Sequence, residues 1–144
     1  MMIMAVLMVL AFAIGNLCNE LGTGIYVSRV TSSWLIPEVA PALIFIISSF
    51  IAFATGTSWG TFAIMISIGV PLSFAVDANL YLVIAAVLGG GVFGDHCSPI
   101  SDTTLIASVA SGCDHIDHVR TQLPYALFTG GLAVIFYLIF GFLF

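Results

Sequence analysis

The sequence predicts an all-α integral membrane protein, a single membrane domain over residues 1–144. Three observations lead there. Hydrophobic residues make up 61% of the chain, charged residues 6%, and the mean hydropathy is +1.23. An ordinary soluble domain carries roughly 25% charged residues, so this chain cannot cover a water-facing surface and lipid is its natural solvent. The apolar residues also come in runs, separated by short polar or glycine-rich interruptions. Some of those runs are long enough to cross a bilayer and others are not, which fixes how the chain must turn.

Met1–Ile14 is the first run. No basic residue precedes it, so it reads as a membrane segment rather than a cleaved leader. Asn16, Asn19 and Glu20 interrupt it, Leu21–Val30 follows, and Thr31–Glu38 reads as a loop. Val39–Phe53 and Phe62–Val76 are each about 15 residues long, against about 20 needed to cross the hydrocarbon core. Joined as one helix, Val39–Val76 would be roughly 57 Å long, far more than the core is thick. A re-entrant hairpin over 39–76 with its tip at Thr55–Thr61 satisfies these lengths, and two tight full spans are the alternative. Leu80–Val109 is interrupted once, at Gly94–Thr104, and reads as a discontinuous helix. Pro99 supports the break: it removes a backbone donor, clashes with the preceding turn and pushes Ser98 away from α geometry. Ser111–Pro124 reads as a polar loop, and Tyr125–Phe144 as the final span. Gly90 and Gly94, with Gly89 and Gly91 beside them, suit close backbone approach between helices.

Several functions are excluded. The chain has no lysine and only two arginines, Arg29 and Arg120, so no basic face exists to neutralise nucleic-acid phosphates. In the hairpin reading the two arginines fall on opposite faces and set no orientation. Cys18, Cys97 and Cys113 are widely spaced and odd in number, which does not make a disulfide framework. No nucleophile–base pair, phosphate loop or HExxH is present, so neither an enzyme nor a bound cofactor is expected.

The chemistry concentrates in the interruptions. Non-helical backbone at membrane depth is tolerated only where it is buried in protein or lines a cavity. Carriers use such breaks as binding sites, with unwound carbonyls and helix ends coordinating the ion. Thr55, Gly56, Thr57 and Ser58 supply hydroxyl oxygens and a flexible backbone in the first break, and hard cations take oxygen ligands. The plainer reading has those hydroxyls bonding to helix carbonyls. In the second break, Asp95 and Asp102 flank Ser98, Pro99 and Ser101, and Thr103 follows. A carboxylate at bilayer depth costs at least about 2.5–3.5 kcal/mol, so a pair is hard to explain as packing. Desolvation and a neighbouring carboxylate favour protonation in general, while a bound cation favours ionisation. Proton and cation then compete for the same oxygens, and the pair titrates as a unit. The alternative is an interfacial loop with solvated carboxylates. Glu20 is a third candidate, or else a helix end at the interface, and His96 is a candidate proton relay. Cys113, Asp114, His115, Asp117 and His118 approach zinc-ligand spacing, but they sit in a predicted polar loop without a CxxC anchor, and no zinc site is expected.

These residues resemble a known family. Ala54–Thr61, Gly94–Thr104 and Cys113–Leu127, together with Leu21–Gly24, are similar to the NhaC-type Na+/H+ antiporters, a family that includes malate–lactate antiporters. The resemblance covers nearly the whole chain and rests chiefly on the unusual Gly94–Thr104 string. It implies a multi-pass cell-membrane protein resembling one repeat of an inverted-repeat ion transporter, here the C-terminal portion. In that frame 39–76 is the hairpin, 80–109 the broken helix and 125–144 the closing span. The implied activity is antiport of Na+ and H+, the transported species, with Na+ held at Asp95 and Asp102. Organic-anion exchange of malate and lactate coupled to Na+ and H+ is one alternative, and a non-transporting membrane subunit is another. The expected partners are the bilayer and either a missing N-terminal half or further copies of the chain.

Overall fold

A computed structural model describes residues 2–144 and shows α-helices throughout. They are α1 (Met2–Glu20), α2 (Thr23–Thr31), α3 (Ala40–Thr55), α4 (Ser58–Val76), α5 (Leu80–Cys97), α6 (Asp102–Ser111) and α7 (His115–Leu143). Local chemistry sets their ends. Pro41 opens α3, where its missing N–H costs nothing. Gly56 closes α3 with φ 67°, a left-handed conformation that a side chain would resist. Asn79 caps α5, its side chain accepting from Tyr81 N and Leu82 N at 3.0 and 3.2 Å. Ser101 caps α6, and Asp114 caps α7 by accepting from Ile116 N and Asp117 N.

The centre of the molecule is the α3–α5 pair. Gly90 lies against the Phe45 carbonyl and Gly94 against the Ser49 carbonyl, and the Ser98 hydroxyl donates to the Phe53 carbonyl, 45 positions earlier. The offset is the same at each contact, so the two helices run parallel and in register. Without side chains at Gly90 and Gly94 the backbones touch directly. α4 returns antiparallel: Phe62 packs on Gly91, and Gly69 meets Val83 and Val87. α7 also runs antiparallel to α5, with Phe93 on Gly130 and the Tyr137 hydroxyl donating to the Ala85 carbonyl at 2.9 Å. Ile44, Phe45, Met65, Leu72, Val83, Ala86 and Val87 form the core. The Phe45 ring lies between Phe93 and Tyr137, at 5.8 and 5.2 Å. α1 and α2 pack on α4, where Gly15 meets Ala63 and Gly24 meets the Ser67 carbonyl and Pro71.

Among the described residues three helices, α4, α5 and α7, are long and apolar enough to cross a membrane by length and composition. The structure narrows each expected interruption. Ser58–Thr61 are helical, which gives α4 19 residues. Of the two arms of 39–76 only α3, with 16, remains short, so length no longer requires both to be re-entrant. The second break shrinks to Ser98–Ser101, because Gly94–Cys97 complete α5 and Asp102–Thr104 open α6. The expected loop at 111–124 is corrected most: Ser111 ends α6, only residues 112–114 are non-helical, and α7 starts at His115. The Asp114 cap and the exposed polar side chains of Asp117 and Arg120 let this stretch coil while remaining wet. Asn16, Asn19 and Glu20 do not interrupt α1 but form its final turns, and the chain turns afterwards at Leu21-Gly22.

Candidate functional site

The two breaks meet. Because α3 and α5 are parallel and in register, their C-terminal ends lie side by side, and each is followed by a short non-helical link. Gly56 packs against Ile100, so that an added Cβ would lie 2.9 Å from the Ile100 side chain and 3.0 Å from its carbonyl oxygen. Ser98 Oγ donates to the Phe53 carbonyl at 2.8 Å and accepts from Ile100 N at 3.3 Å. The carbonyl ends of α3 and α5 therefore adjoin, and the links that lead into the amide ends of α4 and α6 touch at Gly56 and Ile100. Carbonyl ends favour cations and amide ends favour anions.

Asp95 is the one carboxylate buried at this junction, 3% exposed. Its Oδ1 accepts from Ser101 Oγ at 2.7 Å, and Thr103 Oγ1 lies 2.7 Å from Ser101 Oγ. Since Ser101 gives its proton to the carboxylate, Thr103 donates to Ser101, and the three form a chain of oxygens ending on Asp95. Ser101 Oγ also accepts from Thr103 N at 3.2 Å, so the residue that caps α6 is the one that orients Asp95. Thr104, buried, closes the break from the other side by donating to the His96 carbonyl at 3.1 Å.

The other expected site residues divide. Asp102 and Thr103 are exposed in the first turn of α6, and Asp102 adds a negative charge where a helix N-terminus tolerates one. Thr57 and Ser58 are half-buried at the start of α4, and Gly56 is buried. The Thr55 hydroxyl bonds back to the Ile51 carbonyl at 2.8 Å, the plain role for a helical threonine. His96 is exposed, its Nδ1 2.9 Å from the Val92 carbonyl. Glu20 is exposed on α1, which contacts α2 and α4 but neither α5 nor α6 among the described residues. The structure thus brings Asp95, Ser98, Ser101 and Thr103 together with Gly56, and leaves Glu20 and His96 apart from them. Asn16 and Asn19 instead line a mostly apolar groove of about 620 Å³ between α1, α4 and α5. Among the described residues no three His, Cys, Asp or Glu side chains group as a metal site.

Sequence reasoning missed two contributors. Thr104 looked like one more hydroxyl in a polar string, yet its position three residues after the Ser101 cap places it facing back into the break. His115 was expected in a solvated loop. It is half-buried in the first turn of α7, with Nε2 2.7 Å from the Pro99 carbonyl and Nδ1 3.2 Å from Ser108 Oγ. The Asp114 cap one residue earlier was the available signal that a helix begins there.

A family model described as the Na+/H+ antiporter family matches residues 1–142. An uncharacterized protein of Haemophilus influenzae is 41% identical over 133 residues, covering 92% of this chain and 26% of that protein. An uncharacterized Na+/H+ antiporter of the same organism is 34% identical over 105 residues, 73% of this chain and 22% of that protein. The malate-2H+/Na+-lactate antiporter of Bacillus subtilis is 34% identical over 138 residues, 82% of this chain and 29% of that protein. The chain spans about a quarter of the length of these curated relatives. No solved structure matches it.

Proposed function

Because the chain belongs to the Na+/H+ antiporter family, we propose that it supplies the ion-exchange site of a multi-pass cell-membrane carrier, with Asp95 as the group that takes Na+ or H+ in turn. The observation that carries this reading is the burial of Asp95 at the crossing of two helix breaks, with Ser101 and Thr103 directed toward it. A buried carboxylate needs a proton or a compensating cation. When Asp95 is ionised, Na+ takes its carboxylate together with hydroxyl oxygens of Ser101 and Thr103, and the adjoining carbonyl ends of α3 and α5 favour the positive charge. When a proton arrives, the carboxyl loses its charge and Na+ leaves. Thr55, Gly56, Thr57 and Ser58 border the same crossing from the α3–α4 side, and Ser98 holds the two links together. Asp102, in the first turn of α6, draws cations toward the site. Alternating access requires one bundle to move against another, so the working carrier combines this chain with an upstream half or with further copies.

Radiosodium binding to the purified chain in lipid nanodiscs tests the reading. Na+ binding is expected to weaken as pH falls. Asp95→Asn is expected to cut it more than about tenfold, since a hydrogen bond to a charged partner contributes about 1.5–3 kcal/mol. Unchanged affinity in Asp95→Asn would remove Asp95 from the mechanism.

A second reading, organic-anion exchange, is favoured by one feature: the amide end of α6 opens beside the cation site, where a substrate carboxylate can be held. Malate or lactate binding that depends on Na+ would distinguish it from simple cation exchange. Na+ binding without flux, even beside an upstream half, would mark a non-transporting subunit.

A further inference from the structure

We propose that His115 is a positioning residue that clamps the α5–α6 break, and that the clamp tightens when the imidazole takes up a proton. The inference rests on the ion-exchange reading only for its consequence in transport. The clamp itself stands on three contacts. His115 Nε2 is 2.7 Å from the Pro99 carbonyl oxygen, His115 Nδ1 is 3.2 Å from Ser108 Oγ, and Ser108 Oγ donates to the Leu105 carbonyl at 2.8 Å. One ring at the start of α7 thus joins the middle of the break to the middle of α6.

Proton accounting decides the state that suits this arrangement. A carbonyl only accepts, so Nε2 must carry a hydrogen toward Pro99. The Ser108 hydroxyl has one proton to give. If that proton goes to the Leu105 carbonyl, Nδ1 must itself donate to Ser108, and the ring is the imidazolium. If the ring is neutral with its hydrogen on Nε2, Ser108 must turn its proton to Nδ1 and leave Leu105. The neutral ring with its hydrogen on Nδ1 sets a lone pair against the Pro99 oxygen. The protonated ring satisfies three contacts, the better neutral form two, and the other neutral form loses the tie to the break. The clamp is therefore fullest at low pH and loses a contact as pH rises.

Other titratable groups stand near this end of the bundle. Cys113 and Asp114 lie in the α6–α7 turn, Asp117 and His118 in the first turn of α7, and Asp102 at the start of α6. On α5, Asp95 accepts from Ser101, His96 is engaged with the Val92 carbonyl and Cys97 is buried, and α3 contains no titratable side chain. Cys113 leans on the Ser108 carbonyl rather than on the ring. Histidine is the side chain whose charge ordinarily changes between pH 5 and 8, which makes His115 and His118 the groups to separate.

The clamp predicts a link between protonation and the exchanger. At low pH Pro99 is held, and with it the link from Ser98 to Ser101 that orients Asp95. At higher pH only the Nε2–H tautomer keeps that hold, while the Nδ1–H tautomer keeps Ser108 on Leu105 and gives Pro99 up, so the link loosens and the site can rearrange around Na+. A proton at His115 thus acts on the same break as a proton at Asp95, without touching the ion.

Amide hydrogen exchange of the full chain in nanodiscs tests this, with rates converted to protection factors to remove the chemical pH dependence. Protection across Ile100–Leu105 is expected to fall about fivefold between about pH 5 and 8, roughly the worth of one hydrogen bond. His115→Gln, which keeps an N–H for Pro99 but does not titrate, is expected to abolish the step. Ser108→Ala, which spares the Pro99 contact, is expected to abolish it as well, and His118→Gln to leave it in place. A flat wild-type profile, or a step that survives both His115→Gln and Ser108→Ala, would overturn the proposal. Radiosodium binding on the same samples keeps the two readings apart. A step in protection with no Na+ binding supports the clamp and overturns the ion site. Na+ binding with no step does the reverse.

Discussion

Gly94→Ala would act on the contact that brings the two breaks together. A Cβ at Gly94 would lie 2.8 Å from Ala52 Cβ and 2.9 Å from Phe53 N, and closer still to the Ser49 carbonyl oxygen. These are backbone and Cβ atoms that cannot rotate away. Restoring ordinary contact near 3.4 Å moves α3 off α5 by about 0.6 Å at Ala52 and by more at Ser49. A gap of that size forfeits a quarter to a half of each contact along the seam, and overpacking of this kind costs about 1–3 kcal/mol. The Ser98–Phe53 hydrogen bond lies one turn further on and lengthens with the same movement, adding about 0.5–1.5 kcal/mol. The expected total is about 2–4 kcal/mol of stability, with Na+ binding lost alongside. Gly131→Ala is the control: it also sits in a helix, but nothing lies within 4 Å of its added Cβ, so it should be neutral or slightly stabilising. Denaturation of both variants in detergent, beside radiosodium binding, gives the comparison. Equal stability of Gly94→Ala and Gly131→Ala would refute direct backbone contact between α3 and α5.

Ser48→Ala should be neutral or stabilise by up to about 1 kcal/mol, because the Ser48 hydroxyl is fully buried with no hydrogen-bond partner and removing an unsatisfied polar group relieves its desolvation; the same denaturation assay reads it, and a clear loss of stability would mean that the hydroxyl has a partner such as water. Tyr137→Phe should cost about 0.5–1.5 kcal/mol through loss of the bond to the Ala85 carbonyl. Its ring contact with Phe45 is preserved, so Na+ affinity should not change, and a large drop in affinity would show that α7 contributes to the site.

Much of this architecture was legible in the sequence because membrane length is a hard constraint. Apolar runs too short or too long for the hydrocarbon core forced a turn near Gly56 and a break near Pro99, and the structure has both. The extent of each break was not legible. Ser, Thr and Asp have the same polarity in a loop as in the first turn of a helix, so Ser58–Thr61 and Asp102–Thr104 read as loop although both are helix starts, the second capped by Ser101. The same ambiguity hid the first turns of α7, where hydrophobicity fails as a guide and only the Asp114 cap marks the boundary. Asp95 stood out from its surroundings, but its difference from Asp102 did not. Asp95 is buried because its face of α5 meets α3, which depends on the glycines of the seam, whereas Asp102 lies beyond the break in the exposed first turn of α6. The parallel register of α3 and α5 is a tertiary fact, invisible to any reading of one segment at a time.

The lacing of Ser98 to Phe53, with Ile100 seated on Gly56, has a mechanical result. The tips of α3 and α5 share a knot, so neither can swing while the other stays. A displacement that opens the junction must either tear the knot or carry both tips together as one lever, with α4 drawn along by its two-residue tether. Where α1 and α2 lie along α4, Gly15 and Gly24 bring backbone against backbone in the same way, so α4 carries close-packed neighbours on that side too.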